Sequence, residues 1–181
     1  SDNSVVGSKD HPVTIKATEN AGGLIGKAEN TSITVADGKN ISVLTENVTA
    51  TGENGNAGGL FGYFSCQNEF SFNNQIKLDG TATVKGNTAG GLVGVLVNNS
   101  ANSKISVGKT GTDNSDAYQV TSSLEGQNLG GLIGQYSQTN AAASLEISKV
   151  NATSNITEKE NTTYGGLIGL VQNQEGASSY G

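Results

Sequence analysis

Five copies of the sequence Gly-Gly-Leu-(aliphatic or Phe)-Gly punctuate this chain, beginning at Gly22, Gly58, Gly90, Gly130 and Gly165. Their spacings of 36, 32, 40 and 35 residues cover nearly all of its length. A unit of this size cannot bury its own apolar face, so the copies must stack and share one continuous core. We therefore expect residues 1–181 to form a single elongated repeat domain. The chain opens at Ser1-Asp2 without a basic, apolar leader, and we expect it to be a piece of a longer protein.

Composition narrows the choice of repeat. Gly, Asn, Ser and Thr supply 84 of the 181 residues, against 34% apolar residues, one Pro, no Trp and no Met. That excludes a thick globular core, and the lack of a three-residue Gly period excludes collagen. The bias would suit disorder, but the regular return of Leu, Ile and Val argues for an ordered stack. Helical solenoids are disfavoured because Thr, Val, Ile and Gly dominate where helix formers would be needed.

One repeat reads as three short strands. The first is the signature itself, Gly23 to Ala28 in the first copy, whose alternate positions give Leu24/Ala28, Leu60/Phe64, Leu92/Leu96, Leu132/Tyr136 and Leu167/Val171 on an inward apolar face. Asn-rich turns follow at Asn30, Asn68, Asn98-Asn99, Asn140 and Asn173. A second strand carries Ile33/Val35, Ile76/Leu78, Ile105/Val107 and Leu145/Ile147. A third precedes each Gly-Gly pair by seven to ten residues. Measured back from the next signature, Thr49 and Thr51, Thr81 and Thr83, and Thr121 and Ser123 share offsets, with small and apolar residues alternating between them. The outer copies shift by one residue, placing Thr14 and Thr157 outward. The fold class expected is all-β, a three-sided, right-handed β-solenoid of about five coils, at about 4.8 Å per coil on the order of 25 Å long.

Two surface features follow from this register. The residues after each signature Leu, namely Ile25, Phe61, Val93, Ile133 and Ile168, should form an apolar ladder on the other side of the strand. Such a ladder needs a cover, either a loop of the same chain or a neighbouring domain or partner. The outward set Thr14, Thr49, Thr51, Thr81, Thr83, Thr121 and Thr157 would make a lattice of hydroxyls and methyls able to match a glycan or ordered ice, although Thr is also simply suited to a wet strand.

Catalytic and cofactor chemistry finds little material. The net charge of −6 and scattered Lys residues disfavour nucleic acid as a partner, and no apolar run approaches a membrane span. His11 is the only histidine and Cys66 the only cysteine, which leaves no thiolate cluster, no zinc-peptidase ligand set and no Ser-His or Cys-His relay, and the nine-residue Gly/Asp pattern of calcium-binding β-rolls is missing, so no metal is expected. Cys66 reads as small and inert. The signature glycines lack the following helix that a phosphate loop requires, and Gly108-Lys109-Thr110 has Ser103 where that loop's first glycine belongs. Their purpose is positive φ or close chain approach, at Gly23 or Gly26 for example. Glu46, Glu53, Asp79, Asp113, Asp116, Glu125 and Glu158 fall mostly in turns; paired carboxylates of a polysaccharide-degrading β-helix enzyme need no fixed motif, so that class is the least favoured of the alternatives. We expect no enzyme activity and no cofactor.

The five signatures resemble the GLUG repeat, in which Gly-Leu-(aliphatic)-Gly recurs every 30 to 40 residues. That family occurs in secreted and cell-wall-attached bacterial proteins, including IgA-specific metallopeptidases, where the repeats lie outside the catalytic domain. Here Phe61 and Val93 replace Ile. The resemblance implies an extracellular bacterial setting, a stalk, spacer or adhesin role, and a host glycoprotein, a glycan or a neighbouring domain as partner. It carries no catalytic residues to transfer.

Overall fold

The computed structural model describes residues 3–108, 117–157 and 160–173. The described residues form 21 β-strands and no helix, and every strand pairing is parallel. The chain winds as a β-solenoid of about five turns.

Three five-stranded sheets run through all the turns. One is built from the strands that open with the residue after the signature Leu: Ile25–Thr31, Phe61–Cys66, Val93–Asn98, Ile133–Gln138 and Ile168–Asn173. A second stacks three-residue strands, Asn20–Gly22, Asn56–Gly58, Thr88–Gly90, Asn128–Gly130 and Thr163–Gly165. The third, the Thr-bearing sheet, contains Val13–Ala17, Thr45–Ala50, Thr81–Lys85, Tyr118–Glu125 and Val150–Thr157. Two three-stranded sheets complete the perimeter: Ser4–Val6 with Ile41–Val43 and Ile76–Leu78, and Phe70–Phe72 with Lys104–Gly108 and Ser144–Ser148.

The signature is thus a bend between two strands, where a single strand is expected from the alternation. The first Gly ends one short strand, the second Gly and the Leu turn the corner, and the next sheet begins. Hydrogen bonds fix the corner. Leu60 and Phe61 N–H groups both donate to the Leu92 carbonyl, at 2.9 and 3.0 Å, and Leu92 and Val93 do the same to Leu132, at 2.8 and 3.0 Å.

This geometry explains the glycines. None of the signature positions has positive φ among the described residues; Gly7, Gly38, Gly80 and Gly108 do. The reason is approach distance. A Cβ on Gly91 would lie 2.1 Å from the Gly131 carbonyl oxygen, and one on Gly90 would lie 1.9 Å from the Val93 oxygen. Both distances are far inside van der Waals contact, so only hydrogen fits.

The bend also turns both signature apolar positions inward. Leu60, Leu92 and Leu132 are completely buried, and so are Phe61, Val93 and Ile133. The expected ladder Ile25–Phe61–Val93–Ile133–Ile168 does form in register, but it lines the shared core instead of an outer face. Its cover is the rest of the winding chain: Phe61 stacks on Phe64 with centroids 4.9 Å apart and meets Phe70 and Phe72 edge-on at 5.9 and 5.7 Å. Such edge contacts suit the ring quadrupole. Phe70-Ser71-Phe72 holds the position that Ile105/Val107 and Leu145/Ile147 hold in the turns above, whereas Ile76 and Leu78 pair with Ile41 and Val43 in the other small sheet. Four core rows run along the axis from first turn to last: Ala21–Ala57–Ala89–Leu129–Tyr164, Leu24–Leu60–Leu92–Leu132–Leu167, the ladder from Ile25 to Ile168, and Ala28–Phe64–Leu96–Tyr136–Val171.

Candidate functional surface

The outer face of the Thr-bearing sheet is the region the sequence marks for ligand contact. Alternation holds there: Ala82, Val84, Val120, Ser122 and Leu124 are buried, while Thr81 and Thr83 are exposed and Thr121 and Ser123 partly so. Thr81 lies beside Thr121, and Thr121 beside Thr153. These three make one continuous row of threonines.

The wider lattice does not form. Thr49 pairs with Lys85 and Asn47 with Thr83, a shift of four residues from the offset-matched alignment. The cause is turn length. Seven positions separate Thr49 from Asn56 and three separate Lys85 from Thr88, yet both pairs stack, so the extra residues from Thr51 onward loop out. Thr51 lies just past its strand, where its hydroxyl donates to the Ala17 carbonyl at 3.2 Å. Thr14 neighbours Asn47, and Thr157 neighbours Glu125. The two long rows therefore read Thr14–Asn47–Thr83–Ser123–Asn155 and Lys16–Thr49–Lys85–Glu125–Thr157. Mixed charges and amides interrupt the hydroxyls.

At the edge of this face, a groove of about 330 Å³ is lined by Thr49, Thr51, Glu53, Lys85, Asn87 and Glu125, among others. Its main charges meet each other: Lys85 Nζ lies 2.8 Å from Glu125 Oε1. Asp79 is likewise engaged, accepting from the Ser42 hydroxyl and lying 3.0 Å from Lys77. Glu46 and Glu53 are exposed. Asp113, Asp116 and Glu158 lie outside the described residues, as does the Lys109-Thr110 part of the phosphate-loop-like segment.

Cys66 is buried, and that burial pushes its thiol up from its ordinary value while its Sγ–H points to the Asn68 carbonyl at 3.0 Å. The neutral thiol is the poorly nucleophilic form. His11 is exposed near the beginning of the chain. Among the described residues no three His, Cys, Asp or Glu side chains gather closely enough to hold a metal ion.

The ends of the signature strands carry a polar network that the sequence marks only by its asparagines. Asn30, with φ of 48°, takes the left-handed conformation at the irregularity that ends the register of the strand Ile25–Thr31, so it sits in a bulge and not in the turn expected from the sequence. Its side-chain oxygen accepts from Ser65 at 3.1 Å and from Asn99 at 2.6 Å, tying three successive turns together. Asn98 is fully buried and donates to Tyr136 Oη and to the Ser144 carbonyl at 3.1 and 2.9 Å. These asparagines tie successive turns to one another through neighbouring Asn, Ser and Tyr side chains and the Ser144 carbonyl.

Compared with family models, curated proteins and solved structures, the chain has no significant match in any of the three.

Proposed function

We propose that this chain is a non-catalytic structural module, a stalk, spacer or adhesin segment of a secreted or cell-surface bacterial protein. The observation that carries this proposal is how the recurring residues are used. The signature glycines give the bends their close approach, and the leucines and their neighbours fill the dry interior. What repeats is what builds a rod, and every turn adds parallel backbone hydrogen bonds along its axis. An acidic, Arg-free exterior with a net charge of −6 limits nonspecific adhesion to acidic surfaces. The GLUG-like signature supports the extracellular bacterial setting.

Two incubations of the purified chain test this. One is with a panel of acidic and neutral polysaccharides; the other is with proteinase K beside an unfolded control. The expected result is no new reducing ends and survival well beyond the control. Turnover of any polysaccharide would sink the proposal in favour of a β-helix enzyme.

The row Thr81–Thr121–Thr153 supports a narrower second possibility, a glycan-contacting strip on that rod. Glycan-array binding lost in Thr121→Lys would establish it, and an array with no binder would remove it.

A further inference from the structure

The corner between the Thr-bearing strand and the three-residue strand that follows it differs in length from turn to turn. Three positions separate Lys85 from Thr88 and Glu125 from Asn128, and four separate Lys16 from Asn20. Seven separate Thr49 from Asn56, although all these residues stack in register. Relative to the third turn, the second therefore carries an extra Thr51-Gly52-Glu53-Asn54 as a projecting loop. Its base is pinned to the first turn, where the Thr51 and Gly52 N–H groups donate to the Ala17 and Thr18 carbonyls at 2.9 and 2.7 Å. It closes where the Gly55 N–H donates to the Gly52 carbonyl at 3.0 Å.

Beside this loop the corner is hollow, because the third and fourth turns carry glycine there. Gly86 and Gly126 follow the paired Lys85 and Glu125, and both are buried. A Cβ on Gly126 would lie 1.9 Å from the Gly86 carbonyl oxygen, and one on Gly86 would lie 2.9 Å from the Gly55 oxygen. Close stacking thus keeps side chains off the floor. Hydrogen bonds hold that floor in place: the Gly86 N–H donates to the Glu125 carbonyl at 3.0 Å, and the Gln127 and Asn128 N–H groups donate to the Asn87 carbonyl at 2.9 and 3.0 Å. Loop and floor form the groove of about 330 Å³, a volume at the small end of ligand sites.

Its polar groups offer both senses of hydrogen bonding. Lys85 and Glu125 stand side by side, 2.8 Å apart, and Thr49, Glu53, Asn87 and Gln127 join them in the lining. Ammonium and amide N–H groups donate, carboxylate and amide oxygens accept, and hydroxyls do both. That mixture complements the adjacent hydroxyls of a sugar ring, each of which is donor and acceptor at once. Two carboxylates against one ammonium, in a chain of net charge −6, work against phosphate, sulfate or uronate. Among the described residues the lining holds no aromatic or large aliphatic side chain, so an apolar peptide side chain finds no surface to bury against.

We propose that this groove binds one neutral sugar residue of a glycan, with Glu53 and Glu125 accepting from its hydroxyls and Lys85 and Asn87 donating to them. The site is separate from the strip Thr81–Thr121–Thr153, since Lys85 stands four residues along its strand from Thr81, about 13 Å at 3.3 Å per residue.

Titration of the isotope-labelled chain with the methyl glycosides of glucose, galactose, mannose and N-acetylglucosamine, followed through backbone amide shifts, tests this. At least one glycoside should move Gly52, Glu53, Gly86, Asn87 and Gly126 saturably while leaving Thr81, Thr121 and Thr153 in place. Glu53 is exposed on the loop, so Glu53→Ala should fold normally; it should weaken binding about tenfold, the effect of losing a hydrogen bond to a charged group. Deleting residues 51–54 gives the second turn the corner length of the third, and should abolish binding while the β-type circular dichroism spectrum is kept. No saturable shift with any of the four glycosides overturns the proposal. Shifts confined to Thr81, Thr121 and Thr153 also overturn it, and would leave the strip reading standing. So would a groove that prefers methyl glucuronide to the neutral glycosides, or an affinity unchanged in Glu53→Ala.

Discussion

The third turn and the last turn contain the same bend, Gly90-Gly91-Leu92 and Gly165-Gly166-Leu167, in opposite surroundings. Gly91 has the Gly131 carbonyl against it, and among the described residues Gly166 has nothing within 4 Å. Leu92 is fully buried, and Leu167 is 42% exposed. Identical residues thus do different amounts of work according to whether a further turn lies on top. In a stack held mainly by nearest-neighbour contacts, stability resides in the interfaces between turns, and an end turn has one interface where a middle turn has two.

Glycine substitution is the hardest test of that difference. Gly91→Val places a β-branched side chain inside the Gly131 backbone, which cannot move without breaking the hydrogen bonds of two bends. We expect a loss above about 4 kcal/mol, read as failure to fold or as a large fall in the urea midpoint. Gly166→Val should stay within about 0.5 kcal/mol of the wild type. Equal losses at the two sites would mean that the glycines serve local backbone conformation and that stacking does not explain them.

Truncating the leucines sharpens the same contrast with a milder lesion. Leu92→Ala removes a buried side chain and leaves a cavity, at a cost of about 2–5 kcal/mol. Leu167→Ala has a partly wet side chain to lose and should cost under about 1 kcal/mol. Chemical denaturation of both variants, with unchanged m-values, decides it. A Leu167→Ala cost as large as that of Leu92→Ala would show the last turn to be covered in the monomer.

The comparison also shows which parts of the fold could be read from the sequence. Repetition, parallel stacking and the burial of Leu60, Leu92 and Leu132 follow from spacing and alternation, because a fixed period leaves a stack few alternatives. The corner at each signature was hidden. Alternation through Gly23-Leu24-Ile25 assumes an extended chain, and a bend reverses which side faces inward, so Phe61 and Val93 joined the core instead of an outer ladder. The three-residue strands such as Asn56–Gly58 are too short to show any period. Phe70-Ser71-Phe72 does alternate, but it stands where the other repeats carry aliphatic pairs at a different offset. On the outer face, equal offsets from the next glycine pair aligned Thr81 with Thr121 correctly and Thr49 wrongly. Offsets assume equal turn lengths, and the segment after Ala50 is longer. The Thr51-Gly52-Glu53-Asn54 insertion was visible as turn residues; its consequence for register was not, because nothing in a loop's composition says whether the loop is absorbed or extruded.

Tyr118 extends the contrast to a polar group. It lies in the fourth turn, beside Val150 of the fifth, yet it is fully buried and its hydroxyl donates to the Ile76 carbonyl at 2.7 Å. Burial first, and the nearby Asp79 charge second, push its ionisation well above the ordinary value. The folded state therefore keeps the phenol proton at a pH where the unfolded chain, with a tyrosine value of about 10, has begun to lose it. That stabilisation is present below about pH 10 and is lost progressively as pH rises further through the folded-state value. Tyr118→Phe removes the hydrogen bond and leaves the Ile76 carbonyl without that donor, at a cost of about 1–3 kcal/mol near neutral pH. It should also flatten the stability profile above pH 10, and a wild-type alkaline slope retained in Tyr118→Phe would assign that slope to Tyr63, Tyr136 or Cys66, each of which burial also raises.

On the outside, the distinction between middle and end should vanish. The row Lys16–Thr49–Lys85–Glu125–Thr157 crosses every turn, and an ion pair within it joins Lys85 to Glu125, with the lysine side chain 49% exposed. Exposed pairs of this kind gain little in high dielectric and lose side-chain freedom, so their net contribution is a few tenths of a kcal/mol and falls with salt. Lys85→Ala in the third turn and Thr157→Ala in the fifth should therefore both stay within about 0.5 kcal/mol of the wild type. A double-mutant cycle of Lys85→Ala with Glu125→Ala, run at low and high ionic strength, isolates the pair. A coupling above about 1 kcal/mol that survives high salt would mean that the exterior helps hold adjacent turns together, and the middle turns would then owe their stability to both faces of the wall and not to the dry interior alone.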